Sequence, residues 1–334
     1  MEEKAREFIL KNIQDAIYNA RRIQSILKDG VAEGNEPSLL GFLTRQDIEI
    51  RQLYRGENSW IRHLQKIGHY PIIDDDRIVH LVRSTKRLLH INSKLYLDWI
   101  ESFLTSQTVD YGGSFALMLY YDIWQKPLTE WGFASLKEGL EQVLLYPQAV
   151  LELLDIVKWL KASLEQKTAV IELGYKIELE VYARYNRDEI LASFGMHTPE
   201  KRYSSREGVL VVNSKNTELL FVTLDKSQGA FSATTSYEDY AVSEKIFHWQ
   251  SQNSARPDKG AGLAYVNHKS SGKKILLFVR EKTSDEYGFT MPFHFLGMVN
   301  YMNHRGEKPM SINWAMEKDM PASLWEYAAK LSHG

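Results

Sequence analysis

Residues 177–184 read IELEVYAR, and the periodicity of the chain changes at this octapeptide. Ile177, Leu179, Val181 and Ala183 alternate with Glu178, Glu180, Tyr182 and Arg184. A period of two sends successive side chains to opposite faces of an extended strand, so the pattern predicts one buried and one wet face. Upstream, apolar residues recur at three- and four-residue steps. Downstream, they come in short runs separated by turn formers. The reading is α+β: an all-helical region over 1–169, followed by a compact, mostly antiparallel β-sheet or barrel over 170–334.

The helical region opens with 3–28, where Ile9, Ile13, Ala16, Ile17, Ala20, Ile23 and Leu27 share a face and Gly30 stops the helix. Residues 37–70 read as three short helices. Leu39, Leu40, Phe42 and Leu43 form the first. Thr44 and Asp47 resemble a capping box for the second, which buries Ile48, Leu53 and Tyr54. Ser59 begins the third, WIRHLQKIG, with Trp60, Leu64 and Ile67 inward and Arg62, His63, Gln65 and Lys66 outward. The pattern suits a small helical packing unit, with a helix-turn-helix ending in a basic helix as the alternative.

Asp74, Asp75 and Asp76 read as a solvated linker, because consecutive residues converge on a metal only in a loop built for it. Arg77–Phe103 reads as one long helix with Leu81, Leu88, Leu95 and Trp99 inside. Its other face carries His80, Arg83, Lys86, Arg87, His90 and Lys94, a wet face or a phosphate-contacting one. Further helices are expected over 113–124, 135–146 (with a Ser135/Glu138 capping box) and 147–166, where Pro147 suits a first turn.

Beyond residue 184, Asn186 caps a short helix, RDEILASF, closed by Gly195. Six strands follow: GVLVV, ELLFVTL, KIFHWQS, KKILLFVRE, HFLGMVNYM and MSINWAM. Turns such as SSGK and NHRGEKP lie between them, and Pro321–Leu331 reads as a closing helix.

Composition excludes several classes. The 334 residues carry a formal net charge of −2, so no global field draws the chain to a polyanion and any such contact is local. There is no Cys, hence no disulfide, thiolate metal site or cysteine nucleophile. MEEKAREFIL lacks an apolar signal core and no membrane-spanning run occurs, so a cytoplasmic address is expected. No GxxxxGK[ST] loop, GxGxxG after a strand, HExxH or GxSxG is present, and no cofactor is implied. Arg280-Glu281-Lys282 is the nearest approach to a nuclease Glu-x-Lys, but adjacent residues face opposite sides of a strand.

The positive signal lies in 231–252, FSATTSYEDYAVSEKIFHWQSQ, where aromatics and uncharged hydrogen-bonding groups are interleaved. At 12% the chain is aromatic-rich, and this stretch suits a partly enclosed surface that stacks and hydrogen-bonds a planar ligand such as a base. Phe247 and Trp249 are expected to anchor a strand while His248, Gln250 and Gln252 share its other face. Candidate nucleic-acid contacts are Tyr237, Tyr240, His248, Gln250, Gln252, Asn267, His268 and Arg280. Two other readings stand beside this one. The first is a hydrolase whose site draws on His248, His268 and Glu281. The second is an assembly module that docks a partner through the helical region.

The stretches ARYNRDEILASFG, REGV, LLFVTLDKSQGAFSATTSYEDYAVSEKIFHWQSQ, YVNHKSSGKKILLFVRE and FLGMVNYMNHRGEKPMSINW occur in an order that resembles the family called domain of unknown function 3427, over about residues 180–322. AREFILKNIQDAI, GFLTR, DIEIRQLY and SWIRHLQKIG are similar to the segment preceding that domain in its usual setting. The resemblance implies the C-terminal region of bacterial superfamily-two helicases linked to restriction or anti-phage defence. It thus implies nucleic acid as a partner, DNA before RNA, with a helicase in cis or in trans. The motor lobes and nuclease of that setting do not occur in this chain, and the family carries no established catalytic residues to transfer.

Overall fold

The computed structural model describes residues 19–34, 37–46, 48–164, 167–225 and 239–332. Residues 3–18 of the helix expected over 3–28, and the capping residue Asp47, lie outside them. The chain divides into two compact units: Met1–Leu164 with Thr198–Arg202, and Glu165–His197 with Tyr203–Gly334.

The first unit is helical. Its helices are α1 (Ala20–Ala32), α2 (Leu39–Gln46), α3 (Ile50–Leu53), α4 (Trp60–Lys66), α5 (Asp76–Ser84), α6 (Lys94–Leu104), α7 (Ser114–Trp124), α8 (Leu128–Trp131), α9 (Leu136–Leu144) and α10 (Pro147–Ala162). Helix α7, SFALMLYYDIW, is buried from Phe115 to Trp124, as expected of a helix apolar all round. Trp124 anchors it, donating from Nε1 to the Gly139 carbonyl at 2.7 Å and meeting Phe133 edge-on at 5.1 Å.

Four expectations in this unit change. Gly30 does not stop the first helix, since α1 runs on to Ala32. The Arg77–Phe103 stretch is not one helix. It breaks through a 3-10 turn over Thr85–Leu88 and restarts after Ser93, whose hydroxyl accepts from the Tyr96 amide at 3.1 Å. The break resets the helical phase, so Leu95 is 45% exposed while Tyr96, Leu97 and Ile100 are buried. Within the Asp run, Asp75 is the N-cap of α5 and accepts from the amides of Arg77 and Ile78. His63 points inward, not outward. It is fully buried, and Nε2 donates to the Leu53 carbonyl at 3.0 Å, satisfying the end of α3. Burial pushes its pKa down to about 4.

Glu152 on α10 is the polar centre of this unit. It accepts from the Ile61 amide at 2.9 Å and the Thr85 hydroxyl at 2.7 Å, tying α10 to α4 and to the 3-10 turn. Burial pushes its carboxyl up to about 7.

The second unit contains β1 (Ala169–Val170), β2 (Glu180–Val181), β3 (Arg184–Tyr185), α11 (Arg187–Ser193), β4 (Val209–Val212), β5 (Thr217–Thr223), β6 (Tyr240–Ser243), β7 (Ile246–Gln250), α12 (Gly260–Val266), β8 (Lys274–Arg280), β9 (Phe293–Arg305), β10 (Ser311–Met316) and α13 (Ala322–Ser332). β1 and β2 pair with each other. The rest form one sheet in the order β4-β5-β8-β9-β10-β7-β6, with β3 also on β9. β5 and β8 run parallel and the other pairs antiparallel. The sheet has β4 and β6 at its ends, so it is open and not a barrel.

All six strands read from the sequence are present, but IELEVYAR is not a continuous strand. Only Glu180–Val181 and Arg184–Tyr185 are paired, because Tyr182 adopts a φ of +74° between them. Glu180 is buried rather than wet, accepting from the Thr168 hydroxyl at 2.6 Å. The runs of β5 and β8 are buried on both faces, which explains why they read as continuous apolar segments.

β9 organises the sheet. Its first half pairs with β8 and its second half with β10. At the changeover Gly297 has φ +84°, beside a register shift at Leu277/Phe278. This is a β-bulge, which bends the strand. A Cβ at Gly297 would also lie 3.3 Å from Val181 Cγ2.

Candidate nucleic-acid-binding face

The face is built on β7. Its burial alternates, with Phe247 and Trp249 in the core and His248 and Gln250 half-buried on the other side. Trp249 meets Tyr265 edge-on at 5.4 Å, which holds the strand by its inner face. On one flank, β6 pairs Tyr240 with His248, and their rings stack at 4.5 Å with planes 16° apart. On the other flank, β10 places Asn313 opposite His248. Asn313 Nδ2 donates to Asn303 Oδ1 on β9 at 3.0 Å.

Tyr240, His248, Asn313 and Asn303 therefore form one row across four strands, roughly 14 Å long at the usual strand spacing. The adjacent row is Gln250, Ser311 and Arg305. Arg305 and Asn303 are exposed. The Gln250 amide donates to Asp239 Oδ1 at 2.9 Å, fixing the start of β6 against the end of β7. A stacked ring pair, neighbouring amides and a cation together can stack a base, bond its edge and meet a phosphate.

The other sequence candidates lie elsewhere. Tyr237 is outside the described residues. Gln252 follows the end of β7, and its Oε1 accepts from the Tyr265 hydroxyl at 3.1 Å, so it turns toward the core residue that packs on Trp249. Asn267 is the exposed C-cap of α12. His268 is buried with both ring nitrogens engaged. Nε2 accepts from the Tyr301 amide at 3.0 Å and Nδ1 donates to the Lys273 carbonyl at 3.2 Å. Burial depresses its pKa, consistent with a neutral ring that caps an open length of β9. Arg280 lies at the carboxyl end of β8, three strands from β7. Its Nε donates to Thr223 Oγ1 at 2.9 Å, and burial lowers its pKa.

His248, His268 and Glu281 are not brought together either. Glu281 pairs instead with His294 of β9, Nε2 to Oε1 at 3.2 Å. Burial opposes ionisation of Glu281, yet the bond to His294 holds its carboxyl below the usual range. Among the described residues no group of three or more His, Asp or Glu side chains is placed to hold a metal ion. Among them, too, no helix is long and apolar enough to cross a membrane.

Asn303 and Asn313 are functional candidates that the sequence reading passed over. The signal was present in SINWAM, where a buried Trp314 forces Asn313 to the other face. Residues 179–328 match the profile of the family described as Domain of unknown function (DUF3427). No curated protein matches the chain.

Proposed function

We propose that the β-rich unit is a nucleic-acid recognition module, and that Tyr240, His248 and Gln250 with Asn313, Asn303 and Arg305 form its contact face. The observation that carries this reading is the Tyr240–His248 stack set in a cross-strand row of amides. Sheet-borne aromatics with polar neighbours are a recurrent platform for unstacked bases, and a modified or flipped base is the ligand such a row suits. Net charge is slightly negative, so affinity would come from stacking and local cations more than from a global field.

The resemblance in the sequence supports a setting alongside a superfamily-two helicase in DNA processing or anti-phage defence. In that setting the module would act near strands that a motor has opened. Filter binding of single- and double-stranded DNA by the full chain, with a salt titration, tests the reading. Binding that weakens about tenfold or more in His248→Ala, in line with stacking worth about 1–3 kcal/mol per base, is the expected result. No binding at low salt, or affinity unmoved by both His248→Ala and Gln250→Ala, would overturn it.

A further inference from the structure

A second feature of the β-rich unit stands apart from that face. Arg187 opens α11, and its guanidinium lies 4.1 Å over the Phe221 ring. Arg280 lies 4.5 Å over the Phe293 ring. The two rings meet edge-on at 5.2 Å, so the arginines bracket one aromatic pair. Arg280 sits beside Thr223 at the carboxyl ends of the parallel strands β8 and β5.

Both guanidinium groups are half-buried, and neither is in ion-pair contact with a carboxylate among the described residues. Arg187 Nη2 donates to the Glu207 backbone carbonyl at 2.6 Å, while its Nε is buried with no hydrogen-bond partner. Arg280 donates to Thr223 Oγ1 and, at 3.4 Å, to the Met291 carbonyl. The neighbouring Asp188 is bonded to His197 at 3.1 Å.

Burying a charge without a partner is costly, and burying two of like sign together is costlier. The cost registers in Arg187, whose pKa is pushed down to about 10 by burial and by the charge of Arg280. A purely structural arrangement would be better served by a carboxylate or by apolar side chains. Two planar forks held over aromatic rings, with donors to spare, instead suit recognition of an oxyanion. A dianion with several oxygens matches two cations, which favours phosphate over carboxylate.

We infer that Arg187 and Arg280, framed by Phe221, Phe293 and Thr223, form a binding site for a phosphate group. The site is independent of the Tyr240–His248 face, and its test uses a probe that lacks a base. Calorimetry and thermal melting of the full chain with inorganic phosphate, against chloride at equal ionic strength, read it directly. The expected result is a saturable rise in melting temperature, with affinity about tenfold weaker in Arg187→Gln and in Arg280→Gln.

Should a Gln variant fail to fold, Arg187→Lys and Arg280→Lys keep charge and stem but lose the fork, and binding several-fold weaker is expected. Competition arms identify the source. A strand bearing a 5′-hydroxyl that competes as well as its 5′-phosphorylated twin assigns the site to a backbone phosphate. Competition only by the phosphorylated strand and a nucleoside monophosphate assigns it to a terminal or free phosphate. No saturable shift in the parent, or a shift of equal size in parent and all variants, overturns the proposal.

Discussion

Glu152 in the helical unit and the Arg187–Arg280 pair in the β-rich unit meet enclosure in opposite ways. In the helical unit Glu152 is enclosed, and the groups around it are donors supplied by the chain: the Ile61 amide and the Thr85 hydroxyl. His63 spends its Nε2 donor on a backbone carbonyl, while its buried Nδ1 has no hydrogen-bond partner. In the β-rich unit Arg187 and Arg280 are partly enclosed, and among the described residues no carboxylate is in ion-pair contact with either. The stacked Tyr240–His248 pair also lies on the half-buried side of its strands, opposite the core. An internally satisfied polar group is a strut, and an unsatisfied cationic one is a vacancy for a ligand. That contrast is what supports the proposal of a recognition role for the second unit.

The contrast is broken most severely at Glu152. Glu152→Ala strands the Ile61 amide, leaves the Thr85 hydroxyl only the Val82 carbonyl at 3.2 Å and opens a cavity, at an expected cost of about 3–5 kcal/mol in urea unfolding. Glu152→Gln keeps a neutral acceptor and should cost about 1 kcal/mol or less. A cost for Ala no larger than that for Gln would contradict the strut.

The pH dependence sharpens the same point. The folded-state value of Glu152 is raised to about 7, so its contribution is fully present below the usual carboxylate value and is lost as pH rises through 7. His63 is lowered to about 4, so its neutral burial favours folding above the usual histidine value, and that advantage is lost as pH falls toward 4. Each is worth about 3 kcal/mol over its window, with opposite sign. Between pH about 4.5 and 6.5 the two trends offset each other in the parent chain. In Glu152→Gln only the His63 trend survives, and stability should climb by about 3 kcal/mol from pH 4 to 6.5. Denaturation curves at several pH values check this. Parallel profiles for parent and variant would refute it.

Smaller effects test how the sheet is bent and how the helices are started. Gly297→Ala combines a left-handed φ with a contact against Val181, and should lower stability by about 1–2 kcal/mol. Asp75→Ala removes the N-cap of α5 and should cost about 1 kcal/mol. Thermal melts of the full chain resolve both.

Much of the fold was legible because its signals are local. Six strands and the α7, α9 and α10 helices follow from short-range periodicity and caps such as Ser135. What was missed depends on distant partners. α12 reads GAGLAYV, a poor helix by propensity, yet Gly262 is needed where a Cβ would meet the Arg256 carbonyl at 2.1 Å. β6 is four residues long and becomes a strand by pairing with β7. The inward turn of His63 answers an unsatisfied carbonyl at Leu53, which no helical wheel displays.

Of the eight site candidates, Tyr240, His248 and Gln250 come together because two adjacent strands of one hairpin carry them. Arg280 finds its companion in Arg187 through the fold of β8 against β5 and the placement of α11, a pairing that spacing along the chain cannot reveal.

The recognition claim is tested most directly by separating ring from bulk at Tyr240 while DNA affinity of the full chain is measured at fixed salt. Tyr240→Phe keeps the π-face over His248 and should bind within about twofold of the parent, whereas Tyr240→Leu keeps apolar bulk without the ring and should weaken binding about tenfold. Equal affinity in all three proteins would contradict the account.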